Sequence, residues 1–268
     1  MGPDIQNSYE SDNINNSKSP ETGSRLTSSA KRQKTEHQTH PATDQHSTMS
    51  TPSILETFQL EHIPPTHSVH VAVFRDVENA AFLHQQLLAR NADFEYALID
   101  AGVITSRLQV LSAAFKAITA QVAGTMKTPN VHSEMVYALS PASNIAEAYR
   151  RHGITPTSRS LVIVKVLVTP QSSVTEPTTT TTSAETAGIA DAKAPRTAQD
   201  VEKHLITHVQ GKPLPFTDET LSELTDWGRV RKYYKLNGMG WLDGIKDSAA
   251  KNREMDMLVM SGMALRGV

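Results

Sequence analysis

The chain has 268 residues, with 26 Lys and Arg against 28 Asp and Glu, a formal net charge of −2, and no cysteine. Near-neutral charge gives no global pull toward nucleic acid, so any RNA contact has to be local. The lack of thiols removes disulfides and thiolate metal sites and fits a reducing compartment; with no run of about 18 apolar residues and no apolar signal core, neither a membrane partner nor secretion is expected.

Residues 1–52 are rich in Ser, Asn, Thr, Gln and His, with Tyr9 as their one aromatic. They hold too little apolar surface to offset the entropy of ordering and read as a disordered tail. Lys31-Arg32-Gln33-Lys34 within it is a candidate nuclear-import patch, although such short basic runs are common in solvated tails. From Phe58 the pattern changes. Thr57–Leu60 and the alternating Val69, Val71 and Val73, on either side of Pro64-Pro65, predict two strands. Asp76 is expected to cap a helix carrying Val77, Ala80, Ala81, Leu87 and Leu88, followed by a strand through Tyr96–Ile99 that stops at Asp100-Ala101-Gly102.

The longest helix follows, with Leu108, Leu111, Phe115, Ile118 and Val122 as the expected core stripe. Ala113, Ala114, Ala117 and Ala120 would permit close approach by another element, Thr105 or Ser106 supplies the cap, and Gly124 the stop. Val131, Met135 and Leu139 form a further stripe behind Thr128 as cap and Pro129 in the first turn, and Ser140-Pro141 repeats that start signal ahead of Ile145, Ala148 and Tyr149. Arg150, Arg151 and His152 place positive groups in the last turn, and Gly153, free to adopt positive φ, ends it.

Residues 161–168, Leu-Val-Ile-Val-Lys-Val-Leu-Val, read as a central strand covered on both faces. Residues 169–198 turn to Thr, Ser, Pro and Ala, with five threonines at 178–182, and read as a disordered insertion. Helical patterning resumes at Asp200 with Val201, Leu205 and Val209, again at Thr217 before Leu221, Leu224 and Trp227, and between Leu242 and Leu265 with Ile245, Met255, Leu258 and Met260. The expected fold is α/β (α+β), a mixed, largely antiparallel sheet packed with helices, in one domain made of residues 53–168 and 199–268.

The search for chemistry yields little. His204 and His208 have the spacing of two metal ligands on a helix, but no Glu sits in the general-base position and no third ligand is evident; the metal expectation is none. Gly238-Met239-Gly240 lacks the strand-then-helix setting of a dinucleotide site, and no phosphate loop occurs, so no cofactor is expected. Asp100 ends a strand, a place where a catalytic carboxylate can sit and also a turn or cap residue before Gly102; a rival reading as a small hydrolase or transferase pairs it with a histidine such as His132. Arg107, Lys116 and Lys127, near the long helix and its exit loop, are candidate phosphate contacts, set against the ordinary meaning of solvated charge. The long helix has more apolar width than one sheet contact needs, which a partner helix could use, and the methionines at 255, 257, 260 and 263 are soft enough to pack irregularly or to dock on a partner.

The order of motifs says more than any one of them. Val73-Phe74-Arg75-Asp76-Val77-Glu78-Asn79-Ala80, Ala97-Leu98-Ile99-Asp100-Ala101, Ala113-Ala114-Phe115-Lys116-Ala117, Ser133 through Pro141, Asn144-Ile145, His152-Gly153-Ile154 and Tyr233-Tyr234-Lys235-Leu236 stand in a collinear series. This series resembles the PRPK-binding protein family, the small regulatory subunit of the KEOPS (EKC) complex, over residues 55–168 and 199–237. The resemblance implies a mixed α/β fold and a non-catalytic role, without catalytic residues, in forming threonylcarbamoyl-adenosine beside the anticodon of tRNA. It implies direct binding to the small atypical kinase/ATPase subunit, indirect contact with the other KEOPS subunits, and help in holding tRNA, including its 3′ end. A link to telomere maintenance and a nuclear and cytoplasmic location follow from the same resemblance. Carried onto this chain, it points to Leu108, Leu111, Ser140, Pro141, Asn144 and Ile145 for partner contact, and to Arg107, Lys116 and Lys127 for tRNA. The tail, the threonine-rich insertion and the extension beyond Leu236 lie outside it.

Overall fold

Two long strands form the centre of the sheet. The computed structural model describes residues 53–169 and 196–266; the expectations for the N-terminal tail, for Lys31 to Lys34 and for residues 170–195 of the insertion lie outside them. β2 (His67–Arg75) runs antiparallel to β4 (Leu161–Val168), with Val69 opposite Val166, Val71 opposite Val164 and Val73 opposite Val162. Facing β-branched pairs suit a pleated surface, so the alternation in both segments specifies the register. β1 (Glu56–Phe58) pairs antiparallel with β2, and β3 (Ala97–Asp100) with the other side of β4. β5 (Lys212–Leu214) adds antiparallel to the end of β2, and the main path runs β1-β2-β4-β3. Three residues containing a proline show no alternation, which is why β5 escapes sequence reading.

Since β2 and β3 both run antiparallel to β4, they are parallel to each other, and α1 (Ala80–Leu88) lies in the connection between them. β4 fills the slot they leave. Its central place explains its run of apolar residues: Val162, Val164 and Val166 join one core, Leu161 and Ile163 the other.

Helices cover both faces. The first core takes α2 (Arg107–Val122) and α3 (Val131–Leu139), together with α6 (Asp218–Leu224), α7 (Trp227–Tyr233), α8 (Gly240–Asp243) and α9 (Ser248–Ala264). The second takes α1 and α5 (Ala198–His208) with Phe94 and Tyr96. α4 (Ile145–His152) packs on α3 and returns the chain to the β3 edge, where Ile154 N donates to Leu98 O at 2.9 Å and Gly153 bridges Ile99. That edge is thereby closed to a foreign strand.

Several expected helix ends shift. α1 begins after Asn79, not at Asp76, which adopts φ 53° in the preceding turn; Asn79 instead ties the turn to α5, donating to His208 O at 2.8 Å and accepting from Gln210 N at 3.1 Å. Ser106 caps α2, and Gly124 at φ 66° ends it with Thr125 N reaching Ala120 O, as the sequence indicates. Asn130, rather than Thr128, caps α3, and Asn144, rather than Ser140, caps α4; each side chain accepts from the backbone N–H three residues on. Asn is as good a cap as Ser or Thr and sits next to the first helical residue. Thr128 serves otherwise: buried Glu134 accepts from Lys127 N, Thr128 N and Thr128 Oγ1 at 2.9, 2.9 and 2.7 Å, pinning the loop between α2 and α3. Gly153 has φ −72°, so positive φ is not its role; a Cβ there would lie 2.7 Å from Tyr149 O.

The largest correction concerns α2. Its buried face is Val110, Ala113, Ala114, Ala117 and Ile118 with Gln109, whereas Leu108, Phe115 and Val122 of the expected core stripe are exposed. Small side chains allow α2 to lie close on the sheet and α3, and close approach to backbone wins over the bulk of leucine and phenylalanine. The C-terminal helix is part of the same core. Met255, Val259 and Met263 are buried along one side of α9, Thr105 Oγ1 donates to Asp256 Oδ1 at 2.5 Å, and Lys116 Nζ to Met263 O at 2.7 Å.

Candidate interaction surfaces

Asp100 sits where β3 ends and is held by structural partners. Oδ1 accepts from Gly102 N at 2.9 Å and Oδ2 from Ser158 Oγ at 3.1 Å, while Arg229 presents Nη1 and Nη2 to the two oxygens at 3.3 Å each. Gly102 leaves room for this pair, since a Cβ there would stand 2.9 Å from Arg229 Nη1 and 3.0 Å from Asp100 Oδ1. His132 points elsewhere: its Nε2 accepts from Val166 N at 3.1 Å. Asp100 is opposite Leu161 and Val166 lies five residues further along β4, so the two groups are separated by about 17 Å of strand. The acid–base pair of the rival enzyme reading is not brought together.

His204 and His208 stack with centroids 4.2 Å apart, and Phe94 meets both edge-on. His204 Nδ1 lies 2.9 Å from Tyr96 Oη, and His208 Nδ1 donates to His204 O at 2.9 Å. The pair therefore serves packing between α5 and the sheet. Among the described residues no three His, Asp or Glu side chains converge on a metal position, and no helix is long and apolar enough to cross a membrane.

The six residues expected to meet a partner fall in three settings. Leu108 and Leu111 belong to α2, where Leu108 is 59% exposed and Leu111 half-buried against the core. Phe115 and Val122, 38% and 56% exposed, follow Leu108 at seven-residue intervals, giving an apolar ridge about 20 Å long. Ser140 is only 1% exposed: its Oγ accepts from Ala142 N at 3.1 Å, its carbonyl accepts from Arg266 Nη1 at 3.1 Å, and the same guanidinium lies 4.0 Å over the Tyr137 ring. Pro141 is half-buried beside Gly262 of α9. Asn144 spends its side chain on capping, and Ile145 is exposed. The turn at Ser140-Pro141 is thus covered by α9 and by Arg266 just beyond it, a long-range contact with no local sign.

The three expected RNA cations do not meet. Arg107 pairs with Glu56 at 3.2 Å and lies 5.5 and 5.2 Å over Phe58 and Phe216. Lys116 is tied to α9, and burial holds its pKa below the usual lysine range. Lys127 is exposed, and its ammonium has no hydrogen bond or ion pair among the described residues. Arg107 opens α2, whose 16 residues span about 24 Å, and Lys127 lies in the loop beyond its other end.

Lys127 instead belongs with Arg90 and Arg150, at a cavity of about 770 Å³ between α1, α3 and α4. Leu87, Phe94, Ile145 and Tyr149 give it an apolar lining. Arg90 and this cavity were missed from sequence because the walls come from segments some 60 residues apart. The left-handed Arg90, at φ 53°, marks only a turn.

Together, Asp100 and the His204–His208 pair stand in structural roles on a helix-covered antiparallel sheet, and α2 leaves an apolar ridge exposed. Residues 74–267 match the family described as kinase binding protein CGI-121, and the chain belongs to that family. The match runs through α9, so the segment beyond Leu236 is part of the family domain. An "EKC/KEOPS complex subunit CGI121" of Gibberella zeae is 51% identical over 214 residues, covering 80% of this chain and 99% of that protein. Its counterpart in Neurospora crassa is 46% identical over 216 residues, covering 80% and 99%. That of Schizosaccharomyces pombe is 32% identical over 173 residues, covering 65% and 84%.

Proposed function

We propose that this chain is a non-catalytic subunit of an EKC/KEOPS complex that binds the small atypical kinase/ATPase subunit through the α2 ridge and helps hold tRNA for threonylcarbamoyl-adenosine modification. The observation that carries the reading is the ridge itself. Leu108, Phe115 and Val122 remain exposed on a helix whose opposite face is fully buried, and an apolar helix face of this kind is the common currency of helix-in-groove recognition. Membership in a kinase-binding family supplies the occupant. For tRNA, the apolar cavity with Arg90 and Lys127, and with Arg150 held to Glu147, offers stacking surface beside cations, the combination that single-stranded nucleic acid requires. Work in both nucleus and cytoplasm, and the telomere link, belong to the same proposal.

The test is binding of purified chain to the kinase subunit. Leu108→Asp and Phe115→Asp each desolvate a charge at the centre of the contact, and affinity is expected to fall at least tenfold, about 1.4 kcal/mol. Unchanged affinity in both variants, with unchanged melting temperature, would sink the ridge as the kinase contact. Modification of tRNA by the chain alone would overturn the non-catalytic reading.

A further inference from the structure

Trp241 is 56% exposed, more than any other Phe, Tyr or Trp among the described residues. It stands on α8, which is held to α7 where Arg231 Nη2 donates to Asp243 Oδ1 at 2.6 Å. The chain turns between the two helices on Lys235 and Gly238, at φ 58° and 84°. A Cβ on Gly238 or Gly240 would meet nothing within 4 Å, so the surface leading up to Trp241 is open. The neighbouring Leu242 fills the core beneath α8, and a large indole is left in water where it is of use only to a partner.

Between Trp227 and Asp247 the uncommitted charge is all positive. Lys232, Lys235 and Lys246 are exposed, and their ammonium groups have no hydrogen bond or ion pair among the described residues. The carboxylates of the segment are spent: Asp243 holds Arg231 and Lys251, and Asp247 caps α9. The basic strip continues onto α4. Arg151 donates from Nη1 to Tyr233 O at 3.2 Å and lies 5.2 Å over the Tyr233 ring, next in sequence to Lys232. Arg150, the residue before it, lines the larger cavity. Glu147 pairs with both arginines and so cancels one of their two charges.

A row of free cations attracts a polyanion, and an exposed indole among them adds a face on which an unpaired base can stack. An acidic peptide would use the lysines and gain little from the ring. An apolar partner would use the ring but strip water from the lysines without return. We infer that RNA held at the larger cavity continues past Arg150 and Arg151 along Lys232 and Lys235 to Trp241, where an unpaired base stacks on the indole. This rests on the tRNA reading of the cavity and adds a second stretch of contact to it.

The chain has two tryptophans, and Trp227 is half-buried against the core, so Trp227→Phe leaves Trp241 as the sole emitter. Added tRNA is expected to quench that emission and to saturate with the affinity found by filter binding, whereas poly-L-glutamate leaves it unchanged. If Trp227→Phe does not fold, loss of the quench in Trp241→Phe is the readout. Lys232→Gln combined with Lys235→Gln should lower the slope of log affinity against log salt by roughly 1.5, and Trp241→Ala should weaken tRNA binding at least about fivefold. A native chain that binds no tRNA removes the cavity reading and this inference together. Binding that falls in Lys127→Glu, but leaves Trp241 unquenched or is unmoved by the Lys232 and Lys235 changes, overturns the strip and keeps the cavity. Equal quenching by poly-L-glutamate overturns the base contact.

Discussion

Asp100 and His152 show how a residue that looks chemical is committed to structure. The strand-end position of Asp100 is readable from sequence, but the partners that occupy both its oxygens come from Ser158 and from Arg229 on α7. His152 is fully buried under Tyr233 and Tyr234, with Nδ1 donating to Ala148 O at 3.3 Å and Nε2 without a hydrogen-bond partner among the described residues. Burial, assisted by the charges of Arg151, Arg229 and Arg266, depresses its pKa to about 4 from 6.5. A depressed folded-state value means that the unfolded chain takes up the proton first as pH falls. Stability is therefore complete above pH 6.5 and drains between 6.5 and 4, by about 3 kcal/mol from this group alone. Urea unfolding midpoints measured from pH 7 to pH 5 should fall steeply in the native chain and less steeply in His152→Phe. The slope should be reduced rather than abolished, since burial also lowers His70 and His132.

Among the elements, α2 carries the sharpest contrast between pattern and outcome. Its length, Ser106 cap and Gly124 stop are legible because they rest on local backbone chemistry. Its orientation is not, because the alanine face and the leucine–phenylalanine face both qualify as apolar, and only the distance to α3 and the sheet selects between them. The choice has measurable consequences. Ala114→Leu inserts bulk into a fully buried contact and should cost about 1–3 kcal/mol. Phe115→Ser removes a far larger side chain from the exposed ridge yet should cost only about 0.5 kcal/mol. Equal losses in thermal unfolding for the two variants would mean that the helix is rotated. The C-terminal helix makes the same point: its methionines were expected to pack irregularly or dock, and they close the core of their own chain through Met255 and Met263.

For the molecule as a whole, the sheet fixes which cations share a surface. Lys127→Glu reverses an exposed charge at the larger cavity. It is expected to weaken tRNA binding and to lower the slope of log affinity against log salt by about one. Arg107→Gln, at the far end of α2 and occupied by Glu56, should leave that slope unchanged while lowering stability; the reverse pattern would return the RNA contact to the α2 start. By itself the sequence determined the strands at Val69–Val73 and Leu161–Val168, the helices with polar caps and the family series, because period-two alternation, capping and collinearity are properties of neighbouring residues. Only the tertiary structure decided that β4 lies between β2 and β3, that Arg266 beyond α9 covers Ser140, and that Arg90, Lys127 and Arg150 share one cavity while His132, Gln121 and Lys165 share another. Those arrangements join segments tens to more than a hundred residues apart, and they follow from which apolar faces bury together, a competition that no local pattern records.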